Sequence, residues 1–181
     1  IATSSPRRIA VPKNISRDFE IVEIRGNIQT RLKKLEEENF DGMILAAAGL
    51  HRMSIQKQIT EYLSIKQSVP SAGQGILCVE YLKNNLNIKR MLKKYKNHDV
   101  DRCAIEERDF IGMIGGDCMS PIGAHATIQK EKISLTGFVA SKDGNDFIKT
   151  TCESSVTKGV GIGKNLGSIF NKQGAKKLLN K

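Results

Sequence analysis

The chain has 181 residues, 39% of them hydrophobic, and carries 29 basic against 19 acidic side chains for a net charge of +10. That is enough apolar chain for one ordinary domain or two small ones, while the longest apolar run, Met43 to Leu50, is far too short to cross a bilayer. The excess positive charge asks for an anionic partner, but aromatic residues make up only 5% with no tryptophan, and no RNP-like, helix-turn-helix or zinc-finger pattern occurs, which argues against nucleic acid.

Taken in chain order, Ile1-Ala2 reads as the tail of a strand feeding a helix. With no methionine at its start, the sequence reads as the C-terminal part of a longer polypeptide. Ser5 is placed to cap a short helix with Pro6 in its first turn, and Pro12 is expected to end that helix early. Phe19 to Ile24 alternates as a half-buried strand, and Arg25-Gly26-Asn27 then turns into a helix carrying Ile28, Leu32 and Leu35 on one face, with Asn27 as its cap. Asp41-Gly42 leads into Met43 to Ala47, an apolar run suited to a central parallel strand, followed by Gly49 and a helical stretch through Leu63. Residues 1–70 therefore read as an α/β pattern.

Pro70-Ser71-Ala72-Gly73-Gln74-Gly75 breaks this pattern as a hinge, before an expected strand from Ile76 to Tyr81 and a lysine-rich helix from Asn84 to Tyr95. From Asp99 the pattern changes class. One helix turns Val100, Ala104, Ile111 and Ile114 to one side, and three strands follow at Ala124–Ile128, Ile133–Ala140 and Phe147–Ser154. The Lys142-Asp143-Gly144 turn joins the last two as a hairpin, and a closing helix uses Leu166, Ile169, Phe170 and Leu178. The predicted organisation is a partial α/β domain at 1–70, a connecting segment at 71–96, and an α+β domain at 97–181 built on a three-stranded antiparallel sheet.

Arginines recur where strands end and helices begin: Arg7 and Arg8 after Thr3-Ser4-Ser5, Arg25 and Arg31 around Gly26-Asn27, and Arg52 after Gly49-Leu50. Loops after parallel strands converge on one crevice, so guanidinium groups and helix N-termini would face a common space suited to a ligand rich in carboxylates or phosphates. The alternative is a scatter of surface charges. Gln74 and Gly75 fall at the hinge, near that crevice. Gly159-Val160-Gly161-Ile162-Gly163-Lys164 lacks the Walker spacing and reads as the loose start of a helix. His51, His98 and His125 are isolated, and Cys78, Cys103, Cys118 and Cys152 are widely spaced without a CxxC pair, so neither metal nor disulfide is expected.

Cys118 lies in Gly115-Gly116-Asp117-Cys118-Met119-Ser120-Pro121, a turn between a helix and a strand. The residues alone leave two readings open, an inert buried thiol or a covalent attachment point held on a glycine-rich loop. Asp117 would raise a neighbouring thiol pKa, which disfavours a recycling nucleophile and is compatible with a permanent thioether.

Taken together, Thr3-Ser4-Ser5-Pro6-Arg7-Arg8, Arg25-Gly26-Asn27-Ile28-Gln29-Thr30-Arg31-Leu32, Ala47-Ala48-Gly49-Leu50-His51-Arg52, Pro70-Ser71-Ala72-Gly73-Gln74-Gly75 and the Cys118 loop resemble the porphobilinogen deaminase (hydroxymethylbilane synthase) family, in the family's order. The resemblance implies a transferase of haem biosynthesis that joins four porphobilinogen molecules into hydroxymethylbilane with release of ammonia. It implies two α/β domains of periplasmic-binding-protein type flanking a cleft, with a third, α+β, domain presenting the cysteine. It further implies a dipyrromethane cofactor joined to Cys118 by a thioether, with Thr3, Ser5, Arg7, Arg8, Arg25, Asn27, Arg31 and Arg52 binding the acetate and propionate groups of cofactor and substrate. The family's catalytic aspartate would precede residue 1, so no catalytic residue is assigned here and the chain is expected to be inactive alone. A monomer in the cytoplasm, without membrane or nucleic-acid partners, completes the expectation.

Overall fold

The computed structural model describes residues 1–117, 119–157 and 161–180. Its helices are α1 (Pro6–Ile15), α2 (Ile28–Glu37), α3 (Ala47–Arg52), α4 (Leu86–Leu92), α5 (His98–Ile114), α6 (Ile162–Lys172) and α7 (Ala175–Leu179). Three strands, β1 (Ile122–Gln129), β2 (Lys132–Ala140) and β3 (Phe147–Ser155), form one antiparallel sheet in the order β1-β2-β3.

In the N-terminal part Ala2 forms parallel bridges to Val22 on one side and Met43 on the other. Thr3 N–H donates to the Val22 carbonyl at 2.9 Å and Ile44 N–H to the Ala2 carbonyl at 3.2 Å. The strands expected at Phe19–Ile24 and Met43–Ala47 are thus reduced to single bridges. Pairing reaches no further because the middle segment turns into α1 at Pro6. Helices α1, α2 and α3 all begin just past these bridges, so their N-termini gather at one end of the parallel segments, as the sequence pattern required.

Other local expectations need correction. Pro12 does not stop α1, which runs on to Ile15 with Pro12 inside it. Pro12 is buried with Arg7, Ala10 and Val11, and this packing offsets the missing N–H donor. Ser5 occupies the N-cap position of α1 but its side chain makes no capping bond. The stretch through Leu63 is helical only over Ala47–Arg52, with a 3₁₀ turn at Gln56–Gln58, because Ser54 takes a left-handed φ of 58° after the short α3. No strand forms at Ile76–Tyr81. Leu77, Val79 and Leu82 stand exposed, so the segment has no buried apolar face to hold a ladder. Gly174, at φ 90°, divides the expected closing helix into α6 and α7.

The C-terminal part matches its expectation more closely. Its core packs Phe110 and Ile114 of α5, Ile133, Leu135 and Val139 of β2, and Leu166 and Phe170 of α6. Phe110 and Phe170 meet edge to face with centroids 4.9 Å apart. The buried stripe of α5 is Cys103, Glu106, Glu107, Phe110 and Ile114, whereas Val100 is exposed. It is rotated from the predicted face because it accommodates two glutamates.

Strand β2 is buried on both faces over its second half. Odd-numbered Ile133, Leu135 and Val139 face the α5 and α6 core, while Phe138 and Ala140 pack with Ala10 of α1 and Val69. Alternation of side chains across the strand therefore joins the C-terminal part to the N-terminal one.

Candidate functional site

Arg7 and Arg8 are successive residues of α1, about 100° apart around its axis, and they diverge. Arg7 is buried, with 5% relative exposure. It donates through Nη1 to the Val69 carbonyl and through Nη2 to Gln74 Oε1 at 3.4 Å. Arg8 donates to the Ile44 carbonyl at 3.2 Å and to the same Gln74 Oε1 at 3.4 Å. The two Gln74 contacts are long for N–H···O bonds, so an incoming carboxylate can take the place of this neutral acceptor.

Arg8 also lines a cleft of about 490 Å³ with Gly26, Asn27, Ile28, Gln29, Arg31 and Met53 among its walls. Asn27 Oδ1 caps α2 by accepting from Thr30 N–H at 2.8 Å, which fixes the helix N-terminus at the cleft edge. Arg31 Nε donates to the Gly26 carbonyl at 2.7 Å, and Arg52 Nη2 to the Gly75 carbonyl at 2.9 Å. Thr3 is buried, and its Oγ1 accepts from Ser5 N–H at 3.3 Å.

Among the described residues, no carboxylate forms an ion pair with Arg7, Arg8, Arg31 or Arg52. Burial, and secondly the charge of Arg8, push the Arg7 guanidinium down to about 10. Burial, and secondly Arg31, lower Arg8 as well. These cations repel one another in a partly desolvated place, and an anion would relieve both penalties.

The structure thus brings Arg7, Arg8 and Gln74 together and places Arg8, Asn27 and Arg31 on one cleft. Arg25 is turned elsewhere: it pairs with Glu23 at 2.7 Å, with its side chain 77% exposed. Cys118 lies outside the described residues. Beside it, Asp117 Oδ1 accepts from Met119 N–H at 3.0 Å and the Ser120 hydroxyl at 2.8 Å. The Ser120 bond first, and the Met119 amide next, hold the Asp117 carboxyl below its ordinary range.

Residues 1–90 match the family model described as "Porphobilinogen deaminase, dipyromethane cofactor binding domain", and residues 102–172 match the one described as "Porphobilinogen deaminase, C-terminal domain". The chain belongs to the porphobilinogen deaminase family. Curated relatives named porphobilinogen deaminase include that of Alkaliphilus metalliredigens, 38% identical over 179 residues, covering 99% of this chain and 57% of the relative. That of Clostridium kluyveri is 40% identical over 167 residues, or 92% of this chain and 57% of the relative, and that of Geobacter metallireducens 37% identical over 179 residues, or 99% and 56%. The chain therefore spans somewhat over half the length of these porphobilinogen deaminases. All the cleft arginines fall in the range matching the family's cofactor-binding domain, and the Asp117–Ser120 loop in the range matching its C-terminal domain.

The sequence reading assigns no role to Glu106 and Glu107, both buried in α5. Glu106 accepts from Gly161 N–H at 3.1 Å and Gly163 N–H at 2.8 Å, so the glycine-rich start of α6 already holds an anion from its own chain. The available signal was spacing: positions 106 and 107 fall three and four residues after Cys103 and before Phe110, on the buried stripe.

Proposed function

We propose that this chain carries the carboxylate-binding cleft of a hydroxymethylbilane synthase, an enzyme joining four porphobilinogen molecules head to tail with release of ammonia. The observation that supports this most is the group of Arg7, Arg8 and Arg31, two of them with lowered pKa and none paired with a carboxylate among the described residues. Pyrrole rings bearing acetate and propionate supply the missing negative charge, each charge-assisted hydrogen bond being worth about 1.5–3 kcal/mol when shielded from water.

The same un-neutralised cations fit dipyrromethane. Arg7, Arg8, Arg31 and Arg52, with Thr3, Ser5, Asn27 and Gln74 beside them, would hold its carboxylates, and Cys118 would anchor it by a thioether. When bound, it supplies the primer on which the pyrrole chain is built. The arginines orient the carboxylates and neutralise charge that grows with each added ring. Arg25 would join them by exchanging Glu23 for a ligand carboxylate.

In this reading residues 1–70 form part of a periplasmic-binding-protein-like domain, 71–96 connect it to another, and 97–181 form the α+β domain carrying Cys118. The protein acts as a monomer in the cytoplasm. In this reading the arginine cleft binds and orients, and no catalytic carboxylate is assigned among the described residues that line it. The unpaired arginines equally support a second reading, a carboxylate-binding module without turnover.

Calorimetric titration with porphobilinogen, followed by intact-mass measurement, tests the proposal. Binding that weakens about tenfold in Arg8→Gln, as expected for one charge-assisted bond, supports the cleft. A covalent pyrrole adduct in the wild type and none in Cys118→Ser supports the anchor. Reversible binding without an adduct selects the module, and equal affinity for an uncharged alkylpyrrole overturns the carboxylate reading.

A further inference from the structure

The two buried glutamates of α5 are neighbours with different reach. Glu106 serves the C-terminal part alone, binding Arg102 Nε at 2.9 Å and the start of α6. Glu107 faces the other way. Its Oε1 accepts from Ala126 N–H of β1 at 2.8 Å, and its Oε2 accepts from Gly73 N–H at 2.7 Å, in the turn that carries Gln74.

Around that turn the Pro70 carbonyl accepts from Ala124 N–H at 2.8 Å, Ala72 packs against the C-terminal core and the Ser71 hydroxyl donates to Gln74 Oε1 at 3.3 Å, so among the described residues Glu107 is the one side chain that holds the Gly73 amide. Gln74 N–H donates to the Ser71 carbonyl at 3.0 Å and Ile76 N–H to the Gly73 carbonyl at 3.0 Å, and Gln74 itself is exposed. Yet Gln74 Oε1 is the acceptor shared by Arg7 and Arg8, and the Gly75 carbonyl is the acceptor for Arg52. A carboxylate buried in one part of the molecule is thus bonded, through one backbone amide, to the turn whose Gln74 side chain and Gly75 carbonyl accept from three guanidinium groups in the other.

We infer that Glu107 is a positioning residue of the arginine cleft, acting through the Gly73–Gly75 turn; the inference rests on the carboxylate-binding reading given above. A buried carboxylate can accept both the Gly73 and Ala126 amides, whereas a carboxamide offers one acceptor oxygen and turns an NH₂ donor towards the other N–H. Glu107→Gln therefore loosens the turn without changing side-chain volume. Glu106→Gln makes the matching change at an equally buried carboxylate that does not touch the turn.

The test uses the whole chain, at a temperature where every variant is folded. It measures amide exchange at residues 73–75, the NMR resonances of the Arg7 and Arg8 Nε–H groups, and porphobilinogen affinity. In Glu107→Gln, exchange is expected to rise about tenfold, the arginine resonances to shift, and affinity to fall about five- to tenfold, with Glu106→Gln changing none of these. If Glu107 acts through Gln74, its effect on affinity shrinks in a Gln74→Ala background, the mark of coupled positions. Unchanged exchange in Glu107→Gln, or a loss of affinity undiminished in that background, overturns the inference. Failure of the wild type to bind porphobilinogen sinks the reading of the cleft, and exchange together with the arginine resonances still decides the role of Glu107.

Discussion

Arg7 is a cation held at 5% exposure with a carbonyl and an amide oxygen as its acceptors, and its pKa falls to about 10 in consequence. The depressed value means that the folded chain binds this proton less tightly than an unfolded chain whose arginine keeps its ordinary, higher value. Below about 10 both states carry the charge, so the folded state bears the burial penalty throughout the ordinary pH range. A polycarboxylate that binds only the folded cleft removes part of it. Citrate at a hundred times its dissociation constant should stabilise the chain by about 2.7 kcal/mol, or about 5–10 °C in melting temperature for a protein of this size. Differential scanning fluorimetry at constant ionic strength measures this shift. Arg8→Gln should cancel most of it, and an equal shift from chloride would mean that screening alone is responsible.

Among the elements, the β2–β3 hairpin is the one that its own turn determines. Asp143 accepts from the Ser141 hydroxyl, from Asn145 N–H at 3.1 Å and from Asn145 Nδ2 at 2.7 Å, and these bonds, the Ser141 one foremost, hold its carboxyl down to about 2. A carboxyl with a depressed folded pKa stabilises fully above its unfolded value of 3.8 and loses that contribution as pH falls towards about 2. Because Asp143 is exposed and solvent screens its bonds, Asp143→Ala should cost only about 1 kcal/mol at pH 7, less than the full shift implies, and the gap between variant and wild type should close in that acid window. Urea unfolding at pH 7 and pH 2 checks it, and a gap independent of pH would remove the carboxylate from the account. This local chemistry is why β1, β2, β3 and their hairpin were legible in the sequence. The parallel segments at Val22 and Met43 were legible as strands, but longer than the single bridges they form, since the extent of a parallel ladder depends on partners distant in sequence. That Arg8, Asn27 and Arg31 lie on one cleft could be read from their places at helix starts, whereas the turning of Arg25 to Glu23 could not. The burial of Glu107 had a mark in its spacing, but its role had none, because its partners Gly73 and Ala126 are backbone amides.

At the scale of the whole molecule, two halves meet along the Val69–Gly73 segment, and the cleft depends on the meeting. The Val69 carbonyl accepts from Arg7, the Pro70 carbonyl accepts from Ala124 N–H at 2.8 Å, and Gly73 N–H donates to Glu107. Gly123 of β1 lies directly against this seam: a Cβ there would come within 2.8 Å of the Val69 oxygen, 3.0 Å of the Pro70 oxygen and 3.0 Å of Arg7 Cδ. Two of those neighbours are backbone, which cannot rotate aside as a flexible side chain does. Gly123→Ala should therefore push the segment and Arg7 away together, at a cost of about 1–3 kcal/mol typical of overpacking a tight contact. It should also reduce the citrate-induced rise in melting temperature, although residue 123 is not among those lining the cleft. A control such as Gly112→Ala, whose added Cβ would meet nothing within 4 Å, should leave the citrate response intact. If Gly123→Ala lowers stability but the full citrate response survives, the seam holds the halves together without shaping the cleft. If both fall together, docking of the C-terminal part is a condition for the arginines to bind.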